Sequence, residues 1–171
     1  MFHRNIKLII AATIIITAIW QFTEGAIGNG IFLILLSLIF VFLYFKNEFI
    51  LLAFLKLRKQ DFAGAQKWLS YIKNPATALV IKQQGYYEYL QGLMASQTNI
   101  MQAEKHFKKA LAFGLSMDMD IAVAKLNLAG VALSRRRKLE ATNLLNEAKK
   151  LDKQGMLKDQ IKLMKDQMKK I

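Results

Sequence analysis

Two stretches decide the fold: Ile6–Phe22, IKLIIAATIIITAIWQF, and Ile27–Phe45, IGNGIFLILLSLIFVFLYF. The first carries a single charge, Lys7, at its edge, and the second carries none. At about 1.5 Å per residue the two runs reach roughly 25 and 28 Å as helices, close to a hydrocarbon core of about 30 Å. Leu, Ile and Phe each favour insertion by about 0.3–0.6 kcal/mol at mid-helix, so runs this dense are expected to insert unaided. Only Thr23, Glu24, Gly25 and Ala26 separate them, which forces an antiparallel helical hairpin. Gly25, Gly28 and Gly30 are expected to loosen the turn and permit close approach. Trp20 and Tyr44 sit where interfacial aromatics belong, and Lys7 is expected to snorkel toward headgroups.

Orientation follows from charge. Arg4 and Lys7 precede the first run, and Lys46, Lys56, Arg58 and Lys59 follow the second, while the loop holds only Glu24. Lys and Arg stay on the cytoplasmic side, so both termini and residues 46–171 are expected inside. The first run alone could also be read as a signal peptide with His3, Arg4 and Lys7 as its basic leader, although no A-x-A site precedes the second run. The short hairpin and Lys-rich composition point to a bacterial inner membrane, as a multi-pass protein.

The remaining composition narrows the chemistry. The chain has 171 residues and no Cys, which excludes a disulfide scaffold, a thiolate nucleophile and a Cys-ligated metal, and its two His argue against a His-rich metal site. The net charge is +13, and residues after Phe45 hold 23 of the 25 basic side chains. From Lys46 onward apolar residues recur at helical spacing and no stretch alternates as a strand, so the fold class is all-α. Helix stops fall at Asn74-Pro75, Gly114 and Gly155. Ser116 with Asp118 and Asp120 reads as a helix start, a capping hydroxyl followed by two carboxylates.

A repeat underlies this region. Ala65, Ala103 and Ala141 are evenly spaced, in A65-QKW-L69, A103-EKH-F107-KK-A110 and A141-TNL-L145-NE-A148. Leu52, Leu90 and Leu128 keep the same interval upstream. Small residues are needed where two helices cross closely, and the large one fills the gap to the next unit. The pattern resembles the tetratricopeptide repeat (TPR) family, with L-G/A late in a first helix and A-x3-F-x2-A in a second. It departs from that family in three ways. Its period is longer than the usual one of about 34 residues, the frequent first-helix Trp is missing, and Lys138 replaces an apolar turn residue. A more general α-solenoid would also accommodate the longer period. The expectation is a hairpin, 1–45, followed by a TPR-like solenoid, 46–171. Its repeats lie at about 46–76, 82–114 and 118–152, and a cap helix at 156–171. Leu157, Ile161, Met164, Met168 and Ile171 form one stripe on that last helix, which suits a solenoid cap or a docking helix.

No catalytic, cofactor or metal motif is found, and an enzyme is not expected. His106 reads as a surface residue, and Asp118 and Asp120 as caps rather than an acid/base pair. The TPR resemblance implies a concave groove lined by first-helix side chains, here Tyr86, Tyr89, Leu93, Leu126 and Gly130, which would take a peptide, although at least one of the clustered tyrosines Tyr86, Tyr87 and Tyr89 is expected in the core. Arg135-Arg136-Arg137-Lys138 forms a basic patch in the turn of the third repeat. Its partners could be anionic lipid or an acidic protein segment, or it could serve solubility alone. Nucleic acid is not expected, since no stacking-aromatic module is present. The expected function is a membrane-anchored scaffold, adaptor or accessory subunit at the cytoplasmic face. A transient assembly or quality-control factor and a non-catalytic subunit of a membrane enzyme are the alternatives.

Overall fold

A computed structural model describes residues 4–45 and 47–169, with side chains from Ile6 to Tyr44 and from Asn47 to Lys169. His3, Lys46, Ile171 and the side chain of Arg4, which figure in the expectations above, lie outside the described residues. Those described are all helical, in ten helices without a strand. They divide into two compact units, one ending at Gln83 and one beginning at Gln84.

The first unit opens with α1 (Arg4–Thr23) and α2 (Ile27–Phe45), paired as a hairpin. Both are long and apolar enough to cross a membrane, and only 11% of each apolar window is buried. Gly25 turns the chain at φ +80°, a conformation Gly adopts without a Cβ clash. The helices meet through small residues: Ala11, Ala18, Gly30 and Ser37 are buried while large side chains point away. Ile16, Ile19, Phe32 and Leu35 are all more than half exposed. The hydroxyls of Thr13, Thr17, Thr23 and Ser37 each donate to a carbonyl of their own helix, at 2.7–2.9 Å. No solvent is needed to satisfy them, which is what a hydrocarbon surrounding requires.

Asn47 then opens a new helix. Its backbone is extended and its Oδ1 accepts from the amides of Phe49 and Ile50, capping α3 (Glu48–Arg58). α3 pairs with α4 (Phe62–Ser70), and a short helix α5 (Pro75–Ala78) follows, with Pro75 in the first turn where its missing N–H is harmless. The expected stop at Asn74-Pro75 is thus also a start.

The second unit holds most of α6 (Ile81–Ala95), then α7 (Ile100–Phe113), α8 (Asp118–Ser134), α9 (Lys138–Leu151) and α10 (Lys158–Lys169). The second helices of successive pairs, α4, α7 and α9, begin at Phe62, Ile100 and Lys138, the same interval that separates Ala65, Ala103 and Ala141. Burial keeps this phase. Those three alanines are buried, as are Leu69, Phe107 and Leu145, and Ile72, Ala110 and Ala148. Gly92 lets α6 lie directly on the Phe107 ring, since a Cβ there would stand 2.9 Å from it.

α10 packs on α8 and α9. Leu157 and Ile161 join Leu126, Ala129, Leu145 and Ala148 in one core, with Met164 and Met168 against its edge. The apolar stripe from Leu157 to Met168 is therefore covered within the unit.

Candidate functional site

The basic turn joins α8 to α9 and is best understood against its counterpart joining α3 to α4. In both, the third residue after the first helix donates to a carbonyl near that helix's end: Asp61 to Lys56 and Arg137 to Ala132, at 3.0 and 2.9 Å. In both, the middle residue is left-handed, Gln60 at φ 58° and Arg136 at φ 60°. The difference lies in the cap. Asp61 accepts from the amide of Gly64 at 2.8 Å and also holds Lys56 at 2.9 Å. Those two contacts, the lysine first, pull the Asp61 carboxyl below the usual Asp range. In the intervening pair Asn99 fills the equivalent position and accepts from Met101 and Gln102, each at 3.1 Å. In the third, Arg137 occupies the cap and makes no capping bond.

The third turn is thus built against local preference twice. A missing side-chain cap costs about 1 kcal/mol, and a non-Gly residue in the left-handed region costs about 1–2 kcal/mol. Four adjacent cations add self-repulsion. Part of that is relieved: Arg135 reaches Glu104 of α7 at 2.7 Å, and Arg137 reaches Glu140 at 3.4 Å. Lys108 also holds Glu104, and it and Arg135 depress the Glu104 carboxyl below its ordinary value. Arg136 and Lys138 are exposed and make no ion pair among the described residues. The Arg135–Glu104 pair brings the turn beside the start of α7, where Ile100 and Met101 are 46% and 66% exposed; next to the turn itself Leu139 is 77% exposed. The turn itself thus presents two cations and an exposed Leu139.

The strain in this turn can be measured. Arg136→Gly with Arg137→Asp should raise the stability of the second unit by about 1–2 kcal/mol, by relieving the left-handed Arg and restoring the cap. Thermal denaturation followed by circular dichroism measures it; an unchanged or lower midpoint would remove the argument for strain.

The five first-helix positions fall in different places. Tyr86 and Leu93 are half-buried. Tyr89 is buried and packs edge-on against Phe107, with ring centroids 6.2 Å apart. Leu126 is buried in the core beneath α10, and Gly130 faces the methyl of Met164 at Cβ-contact distance, 3.5 Å. Tyr89 and Leu126 thus serve the interior rather than an open groove. For the tyrosines a core role was among the expectations; for Leu126 periodicity could not reveal it, because α10 is the element that covers the α8 face.

The helix start expected here is present, with Asp118 and Asp120 in the first turn of α8, but neither is the cap residue and both make long-range contacts. The cap residue of α8 is Met117, not Ser116, and it makes no side-chain bond. Asp118 holds Lys153 at 2.6 Å and raises its ammonium pKa. Asp120 is buried and bonds the Tyr86 hydroxyl, which also accepts from the Ser116 amide at 3.3 Å. Burial first, and then the Asp120 charge, push both Tyr86 and Tyr89 above the ordinary phenol value. His106 is not solitary: its Nδ1 lies 2.6 Å from Glu88, with Lys109 3.6 Å from the same carboxylate. Among the described residues no group of three or more His, Cys, Asp or Glu could hold a metal.

A polar cluster closes the end of the hairpin. Lys7 does not reach outward; it is 13% exposed, pairs with Glu48, and donates to the Leu43 carbonyl at 3.3 Å. Gln83, also buried, donates to the Tyr44 carbonyl at 3.2 Å. Together they satisfy carbonyls that the end of α2 leaves open, a position where a cation is favoured by the helix dipole. Lys7 and Glu48 stand at opposite ends of the hairpin sequence, so no local pattern announced their pairing. Compared with known proteins, the chain matches no family model, no curated protein and no solved structure.

Proposed function

We propose that this chain is a non-enzymatic, membrane-anchored scaffold or accessory subunit, with a TPR-like array of helical pairs held at the cytoplasmic face of a bacterial inner membrane. The observation carrying this reading is the pairing of an outward-facing apolar hairpin with helical pairs that recur at a constant interval. Each pair in such an array leaves a surface that a neighbour or partner must cover. The basic turn supports a protein partner of acidic character. Arg136 and Lys138 stand exposed next to Leu139, which is itself largely exposed, in a turn that Arg135 ties to α7.

Purification of the full chain from its native membrane in mild detergent should bring a stoichiometric partner, lost on changing Arg136 and Lys138 to Gln. A chain that purifies alone, or whose partner ignores both substitutions, would contradict the reading. Topology is tested separately, since the absence of Cys permits single-cysteine labelling. Asn29→Cys should react with an impermeant thiol reagent on intact cells, and Gln97→Cys should react only after lysis. Gln97 is chosen because it is exposed and spares the Asn99 cap. The reverse labelling pattern would invert the proposed orientation.

A further inference from the structure

The first unit contains an aromatic cluster for which neither the hairpin nor the repeat accounts. Phe49 of α3 stacks on Tyr71 with centroids 5.5 Å apart and on Trp68 of α4 at 6.2 Å; Trp68 and Tyr71 are 5.8 Å apart. None of the three is buried, and Tyr71 is 49% exposed. On the same α3, Leu51 and Leu55 are 41% and 46% exposed, one turn apart. The cluster's position is fixed by the polar closure of the hairpin. Phe49 follows Glu48, Glu48 pairs with Lys7, and Lys7 donates to the end of α2. The aromatics therefore stand where the apolar length of the hairpin stops. At the hairpin's other end, Trp20 is 61% exposed.

Indole and phenol rings have an apolar body and one polar tip, and they accumulate at both boundaries of a bilayer for that reason. Cations within reach of headgroups add to such contacts, and Lys67, Lys73, Lys56 and Arg58 lie on these helices or next to them. We propose that Phe49, Trp68 and Tyr71 form an interfacial anchor that seats the first helical pair in the lipid headgroup layer. Lipid is the occupant because the cluster is continuous with helices whose own exposed faces call for hydrocarbon. This rests on the hairpin spanning a membrane.

The chain has two Trp residues, which makes the test direct. In Trp20→Phe the only indole is Trp68; in Trp68→Phe it is Trp20. Each full-length variant is reconstituted in vesicles whose lipids carry bromine either near the headgroup or at the chain end. Shallow bromines should quench Trp68 at least about two-fold more strongly than deep ones, as expected of an interfacial indole. Adding Tyr71→Ser to Trp20→Phe should weaken that quenching while circular dichroism stays unchanged. Trp68 silent toward both lipids while Trp20 responds would overturn the anchor and leave the spans intact. If Trp68 were silent yet shielded from aqueous acrylamide, a protein surface would be covering it, and the proposal would fail equally. Silence of both indoles would take the spanning reading down as well.

Discussion

Phe107→Ala should destabilise the second unit by about 3–5 kcal/mol, the usual range for removing a fully buried Phe. The ring has no exposed surface. One face lies on the backbone of α6 at Gly92, and Tyr89 meets it edge-on at an interplanar angle of 66°. Backbone cannot rotate into the void as a long side chain would, so the cavity should persist. Against a typical domain stability of about 5–15 kcal/mol, a loss of this size leaves little margin. Urea denaturation of the full chain in mild detergent, followed by circular dichroism, measures it. Phe62→Ala serves as the comparison: Phe62 is 40% exposed, and its truncation should cost about 1 kcal/mol or less. A Phe107 variant as stable as that control would mean α6 and α7 do not pack as described. Leu69 and Leu145 share the phase of Phe107 and are equally buried. Leu145→Ala should therefore follow the same direction, by about 2–5 kcal/mol.

That phase was readable from residues alone, because the demand for a small residue followed by a large one a turn later is local to a helix. The hairpin was readable for a similar reason: uncharged runs bounded by polar residues place α1 and α2 close to their observed ends. What escaped were pairings across long separations. Lys7 was legible as a lysine at the end of an apolar run; that it bonds Glu48 and the end of α2 depends on how the chain returns. Asp120 looked like a cap because it stands near a helix start, yet the Tyr86 hydroxyl of the preceding pair claims it. The groove positions failed in part for the same cause. Leu126 is spaced as a first-helix surface residue, and only the return of α10 turns it into core. The basic turn shows the opposite case. Its charges were evident, but their cost emerged only from the left-handed Arg136 and the cap that Arg137 does not make.

Changing Leu35 and Leu38 together to Arg should separate a membrane hairpin from a soluble one by the sign of its effect. Both side chains lie near the middle of α2 and are 58% and 56% exposed. In water, exposed Leu→Arg changes shift stability by about 0.5 kcal/mol each in either direction, and the added charge would improve solubility. In a bilayer each Arg at helix centre costs about 2.5–3.5 kcal/mol on insertion scales. The apolar side chains of α2 together favour insertion by roughly 4–8 kcal/mol on the same scale. A single Arg leaves that balance favourable; two bring it close to zero, and the span should fail. The expected result is loss of Asn29→Cys labelling from outside and release of much of the chain from membranes by alkaline carbonate, which the unaltered protein should resist. If the double variant instead remains in solution without detergent, folded and unaggregated, and the parent chain does the same, α1 and α2 are water-facing helices. The reading that makes lipid the solvent for Ile16, Phe32 and Leu35 would then have no support left.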